Sequence, residues 1–200
     1  MVITNDLIRS QERVREHGEV FTPPHIVDEM IALIPDEVWV DSNKNTLEPT
    51  CGNGNFIVAI LRKKMTCGQT ILQALRGTYG IDIMPDNIIT VYHKVYNEFL
   101  KNLSDDMKLK CLTVMLYQIR VVEKKGGGTL GLNLSKVSKV FPNKFQKQVA
   151  DALIWRAEKC LSLLKNEQDI TRECLMAYLK PKCPEKPMVI QQVLEGFDVD

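Results

Sequence analysis

The order of apolar patterns along the chain predicts an α/β fold built on a parallel sheet. Three observations carry this. Residues 19–100 alternate helix-like and strand-like stretches in the order helix, strand, helix, strand, helix. Both short strands run into a helix start, the first through a glycine-rich turn and the second through Met84-Pro85-Asp86. The chain has 200 residues, 44% hydrophobic and 26% charged, which suffices for one packed core and excludes a disulfide-stapled miniprotein or a multi-domain machine.

Residues 5–16 read as a short polar helix that ends at His17-Gly18. Glu19 to Pro24 must be extended, because each proline disfavours helix in the residue before it. Thr22 then reads as an N-cap and Pro23 as a first-turn residue. Ile26, Val27, Met30, Ile31 and Ile34 follow at helical spacing, and Pro35 stops them. A loop is expected over residues 36–45, and a short strand over Thr46-Leu47-Glu48.

The turn Pro49-Thr50-Cys51-Gly52-Asn53-Gly54-Asn55 leads into an apolar helix that starts at Phe56. A second short helix is expected from Gln69 to Leu75, and a buried strand from Thr78 to Ile83. A helix then runs to about Leu100, with Ile88, Tyr92, Val95 and Phe99 on one side. Cys111–Val122 fits either a strand or a buried helix, because its apolar positions select no period. Gly126-Gly127-Gly128 is a joint, and residues 145–164 and 171–179 read as helices.

Charge and cysteine usage narrow the classes. The net charge of +1 announces no polyanionic partner, yet residues 1–100 sum to −4 and residues 101–200 to +5. A basic second half fits nucleic acid or a solvated surface, with Lys136, Lys139, Lys144 and Lys147 as the strip to touch phosphates. The six cysteines form no CxxC pair and lie far from the three histidines, so no structural zinc site, and no other metal, is assigned. With no leader-like start and no apolar run near 18 residues, a reducing cytoplasm and no membrane are expected. Cys51 has no cationic or histidine partner to make it a nucleophile, and Arg62-Lys63-Lys64 reads as a solvated helix end. His17 and His25 fit surface roles, and His93 a solvated helix position.

The informative unit is the first strand, its turn, the helix and the second strand. Ligands of open parallel sheets bind at the carboxyl ends of the strands. Gly52 and Gly54 would let backbone approach a ligand that a side chain would block. The helix beginning near Asn55 points its free N–H groups at the same crevice. Asp82, ending the second strand, is placed to accept from a ribose diol. The turn lacks GxGxxG spacing, and Glu48 stands just before it. That carboxylate would repel a pyrophosphate but suits an ammonium and a sulfonium, the charges of S-adenosylmethionine. The same residues also fit a tight strand-to-helix turn with no ligand.

Three runs then resemble one family. Gly18-Glu19-Val20-Phe21-Thr22-Pro23-Pro24-His25 resembles the N-terminal motif of adenine-specific (N6) DNA methyltransferases of restriction-modification systems. Leu47-Glu48-Pro49-Thr50-Cys51-Gly52-Asn53-Gly54-Asn55-Phe56 resembles their main cofactor motif, and Tyr79-Gly80-Ile81-Asp82-Ile83 their second. Order and spacing fit over about residues 10–100. The resemblance implies a Rossmann-like, S-adenosylmethionine-dependent methyltransferase fold, in incomplete form, with extra helices in the C-terminal half. It implies a cofactor site of Phe21, Thr22, Glu48, Gly52, Gly54 and Asp82, with Thr22 near the methionine end.

The family's chemistry lies in an (Asn/Asp/Ser)-Pro-Pro-(Tyr/Phe/Trp) loop that receives an adenine flipped from the duplex. This sequence has no such loop: its one Pro-Pro, Pro23-Pro24, belongs to the first motif. No catalytic residue is therefore assigned. Gly131-Leu132-Asn133 offers Asn where a third motif carries an acid, and Gly196-Phe197-Asp198-Val199-Asp200 resembles the strand before the catalytic loop. The expected organisation is an N-terminal helix over 1–18, a methyltransferase-like cofactor domain over 19–125, and a helical or mixed region over 126–200. The expected function is S-adenosylmethionine binding by a fragment, subunit or degenerate relative of these enzymes. A non-catalytic regulator or decoy and an autonomous enzyme with a divergent loop are the alternatives. Implied partners are DNA and a methyltransferase or restriction-system subunit.

Overall fold

The structure is a computed structural model that describes residues 7–121 and 146–171. Three strands, β1 (Thr46–Glu48), β2 (Thr78–Asp82) and β3 (Ile119–Val121), pair in parallel in the order β1-β2-β3. Thr46 lies opposite Thr78, and Gly80 lies between Glu48 on one side and Ile119 on the other. Parallel neighbours need crossover connections, and helices supply both. The result is a mixed α/β architecture with a small parallel sheet flanked by helices.

The chain enters through α1 (Gln11–His17), capped by the Ser10 hydroxyl accepting from the Arg13 N–H and closed by Gly18 in the left-handed region. It is shorter than the pattern suggested, because Ser10 supplies the better cap. The next helix, α2 (Pro24–Ala32), begins one residue later than expected: Pro24 is its first-turn proline and Pro23 stands at the cap without a side-chain bond. Thr22 is thus outside the helix, its carbonyl taken by the Asn55 amide at 2.7 Å. The expected loop after Pro35 instead contains α3 (Asp36–Val40), which buries Trp39.

The central helix is α4 (Asn55–Thr66). One side puts Ile57, Val58 and Leu61 into the core beneath the sheet, and the other puts Ala59 and Ile60 against Val27, Ile31 and Trp39. Each fully buried aliphatic of this kind contributes about 1.5–3 kcal/mol relative to exposure. A capping box at Thr70 and Gln73 starts α5 (Ile71–Arg76), and β2 follows. After β2, α6 (Pro85–Val95) passes into a π-helical turn over Tyr96–Leu100, and the Tyr92 hydroxyl donates to the Ile119 carbonyl at 2.8 Å.

The ambiguous stretch 111–122 is helix and then strand. The helix α7 (Asp105–Gln118) runs directly into β3. It packs against α5 on one flank and α8 (Gln146–Lys165) on another, and it buries Cys111, Leu112, Val114, Met115 and Leu116. A helix covered on both flanks has no polar face, so its sequence shows no period. Residues 145–164 were expected helical, and α8 matches closely; Ala157, Cys160 and Leu164 join the main core. The glycine joint, the Asn133 motif, Lys136, Lys139 and Lys144 of the lysine strip, residues 172–179 of the expected last helix and the Phe197-Asp198 strand lie outside the described residues, while Lys147 stands in the first turn of α8. No helix among the described residues is long and apolar enough to cross a membrane.

The basic cluster at the end of α4 divides. Arg62 pairs with Glu98 and Lys63 with Asp36, both at 2.7 Å. Lys64 is only 1% exposed and is not solvated. Its ammonium donates to the Gly77 carbonyl at 2.6 Å, beside the bond from the Thr46 N–H at 2.8 Å that starts the β1-β2 ladder. Burial pushes this ammonium down to about 8. Between about pH 8 and the ordinary lysine range the unfolded chain holds a proton that the folded one has released. Stability therefore rises with pH across that window and is lowest below it. Gly77 keeps its other donors without Lys64, so Lys64→Met is expected to match or exceed the wild type in urea melts at pH 7. The wild type should gain on the order of 3 kcal/mol between pH 7.5 and 10.5 relative to the variant. Parallel pH profiles would refute this account.

Candidate functional site

The turn that joins β1 to α4 is held to the end of β2 by two bonds from its backbone N–H groups. The Cys51 N–H donates to the Ile81 carbonyl at 2.9 Å, and the Gly52 N–H donates to Asp82 Oδ2 at 2.9 Å. Asp82 Oδ1 also accepts from the Met84 N–H at 2.8 Å and the Asn87 amide at 3.2 Å. One carboxylate, 8% exposed, thus organises both turns at the carboxyl edge of the sheet. A carboxylate offers about four acceptor positions. Three are filled, so in this geometry Oδ2 keeps one for an outside donor rather than the pair that a diol would use.

Glu48 lies beside it. Its Oε1 accepts from the Thr50 N–H at 3.4 Å, and burial raises its carboxyl above the ordinary range, with that bond opposing. Burial first, then the charges of Asp82 and Glu48, push the buried Cys51 thiol far up, so it is no nucleophile at neutral pH. Both carboxylates lie close enough to Cys51 for their charges to act on it. Among the described residues neither enters an ion pair with a lysine, arginine or histidine.

The two glycines have internal reasons to be glycine. Gly52 has φ +50°, and a Cβ there would sit 3.2 Å from the ring of Phe21, itself buried. Gly54 has φ +85°, and its Cβ would lie 2.7 Å from the Val91 side chain of α6. So Phe21, Gly52, Glu48 and Asp82 come together at the sheet edge, while Gly54 faces α6. Thr22 reaches the site through Asn55: the Asn55 amide donates to the Thr22 carbonyl, and its Oδ1 accepts from the Lys94 ammonium at 2.6 Å. Lys94 is itself pushed down, by burial first and then by the charge of Arg9. Beyond that pair, a groove of about 570 Å³ lies between α2, α4 and α6, floored by Val58 and Ala59.

Behind Asp82 lies a polar cluster that the residue pattern did not single out. The fully buried Asn87 amide donates to Glu19 Oε1 at 2.7 Å as well as to Asp82, and its Oδ1 accepts from Arg9 Nε at 3.1 Å. Arg13 bridges Glu19 at 2.7 Å and Asp86 at 2.5 Å. Burial opposes the Asp86 charge, but the hydrogen bond and charge of Arg13, helped by Arg9, hold its carboxyl below the ordinary range. The signal for Asn87 was its phase: it precedes Val91 and Val95 at intervals of four, a polar residue on an apolar stripe. His93 is less solvated than expected, with Nε2 3.7 Å from the Asp169 carboxylate. No group of three metal-ligating side chains occurs among the described residues.

Compared with family models, curated proteins and solved structures, the chain matches none of them. The α/β domain with its parallel sheet is compatible with a nucleotide- or cofactor-binding fold in general.

The turn generates one stability prediction. Gly54→Ala should cost at least about 2 kcal/mol, from left-handed strain together with the clash on Val91. Adding Val91→Ala should recover part of this, because it removes the clash and leaves the strain. Chemical denaturation of the four proteins of that cycle would measure it; an unaffected single variant would contradict the turn geometry.

Proposed function

We propose that this chain binds S-adenosylmethionine and is related to the adenine-specific (N6) DNA methyltransferases, as a fragment, subunit or degenerate relative. One observation carries the reading. Two carboxylates, Glu48 and Asp82, end adjacent parallel strands on either side of a glycine turn, and neither has a cationic partner among the described residues. Burying uncompensated charge is costly, so such a pair favours a ligand that brings positive charge. S-adenosylmethionine brings an ammonium, a sulfonium and a ribose.

The donor set fits that ligand in kind. Glu48 would accept from the ammonium end. Asp82 would give its remaining Oδ2 position to one ribose hydroxyl, and Phe21 and Gly52 would shape the bed between them. Thr22 would lie towards the methionine end, held in place through Asn55. When bound, the cofactor supplies an activated methyl group. The residues named here bind and orient, and none of them moves a proton. With no (Asn/Asp/Ser)-Pro-Pro-(Tyr/Phe/Trp) loop in these 200 residues, transfer to adenine is assigned to a loop outside them. DNA and a methyltransferase or restriction-system subunit are the partners this reading implies, in a cytoplasmic setting.

Calorimetric titration of the full chain with S-adenosylmethionine tests the pocket. Saturable binding is expected, and Glu48→Gln should weaken it about tenfold or more, the worth of one charge-assisted bond. Affinity should also fall on acidification from neutral pH, because Glu48, raised above its ordinary range, loses its charge early. Asp82→Ala is the poorer probe, since it also releases the turns at Gly52 and Met84. An absence of saturable heat would sink the assignment. With labelled methyl donor and adenine-containing duplex, no transfer by these 200 residues alone is expected; turnover by them would refute the need for an outside loop.

A further inference from the structure

The polar cluster behind Asp82 has a definite wiring. Asn87 is 1% exposed; both N–H donors of its amide are engaged, and its oxygen holds one partner. Two donors go to two carboxylates, Glu19 and Asp82, and the oxygen receives Arg9. The amide must be oriented this way, since the reverse would set an acceptor against two acceptors. Aspartate would place a third carboxylate between two others. An aliphatic side chain would leave Asp82 Oδ1 with only the Met84 N–H.

Glu19 does not belong to the sheet. It follows α1 and is gripped by Arg13 of that helix, which also reaches Asp86 at the start of α6. Two residues on, the Phe21 ring lies against Gly52, whose N–H holds Asp82 Oδ2. The Phe21 N–H itself donates to the Leu7 carbonyl at 2.8 Å, so the entering chain is tied down on both sides of α1. Docking of α1 and the aim of the Asp82 carboxylate therefore share the same side chains.

We infer that Asn87 is a positioning residue for the proposed pocket: it aims the one remaining acceptor position of Asp82, and through Glu19 and Arg13 it couples ligand binding to the docking of α1. This rests on the reading of the site as a cofactor pocket. The chemistry is specific. With Oδ1 occupied by Met84 and Asn87, and Oδ2 by Gly52, the ligand offers one hydroxyl and not two. Removing one ribose hydroxyl should weaken binding, and removing the other should not. Reciprocity then requires that a ligand favouring the aimed carboxylate also favours docked α1.

The test compares S-adenosylhomocysteine with its 2′-deoxy and 3′-deoxy forms on the full chain. For the wild type, one deoxy form should bind about tenfold more weakly and the other within about twofold, as expected for one hydrogen bond to a charged acceptor. In Asn87→Ala all three ligands should bind with nearly equal, weakened affinity, a collapse of discrimination that loss of stability alone would not produce. Asn87→Ser, which keeps a donor, should recover part of the discrimination and stands in if the alanine variant does not fold. Ligand should slow tryptic cleavage after Arg13 and Arg15 about fivefold in the wild type and leave it unchanged in Glu19→Gln, as coupling requires. Full hydroxyl discrimination in the Asn87 variants, or equal protection in Glu19→Gln, overturns the inference while the pocket stands. A wild type that binds none of the three ligands overturns the pocket and this inference together.

Discussion

The bonds of Asp82 join parts of the chain that are distant in sequence. Its carboxylate receives the Gly52 N–H from the turn after β1, the Met84 N–H from the turn after β2, and the Asn87 amide from the first turn of α6. Parallel strands are joined only through long crossovers, so nothing local fixes how the turn after β1 sits beside the turn after β2. A nearly buried anion that collects N–H donors from both does this at short range. Backbone donors carry no formal charge, so they satisfy the geometry of the carboxylate and leave its charge uncompensated. The fold thereby sets an anion at the edge of its sheet.

The remainder of the domain keeps those two turns in register. Ile57 and Leu61 anchor α4 beneath the sheet, and Ala59 and Ile60 hold α2 and α3 on its other side. Gly80 in β2 is the point of closest approach: a Cβ there would meet Ile57 at 2.9 Å and Ile119 at 3.3 Å, so helix and strand can close only around a glycine. At the opposite edge of the sheet Lys64 binds the carbonyl of Gly77 where β2 begins. The two ends are chemically unlike. At one, a buried cation is placed on the carbonyl of Gly77, where α5 ends; at the other, the buried carboxylate of Asp82 is placed on N–H groups of the turns that lead into α4 and α6.

The N-terminal segment changes how the site is understood. By itself α1 buries no residue. It is held by ions and amides instead: Arg13 to Glu19 and Asp86, Arg9 to Asn87, and Phe21 beneath them. A helix fixed by polar bonds to the sheet edge, rather than by a large apolar face, is expected to come from the low-stability end of the molecule. Such an element is suited to respond to a ligand of the kind proposed for that edge.

By itself the sequence determined the alternation of strands and helices over residues 19–100, the positions of β1, β2 and α8, and the placing of Glu48, Gly52 and Asp82 at one edge. Those follow from local rules: period, proline and glycine placement, and the tendency of parallel sheets to gather strand ends. Tertiary structure alone decided the rest. Helix α7 had no readable period because neighbours cover both of its flanks, and Lys64 looked solvated because nothing local says that the start of β2 will lie over it. Pro24 rather than Pro23 began α2, with the Thr22 carbonyl committed to Asn55 across 33 positions of chain. Asn87 could be noticed by its phase, but its partners Glu19 and Arg9 lie 68 and 78 residues away. A hydrogen bond between such distant residues leaves no periodic trace in sequence; it exists only once the sheet has brought the two turns together.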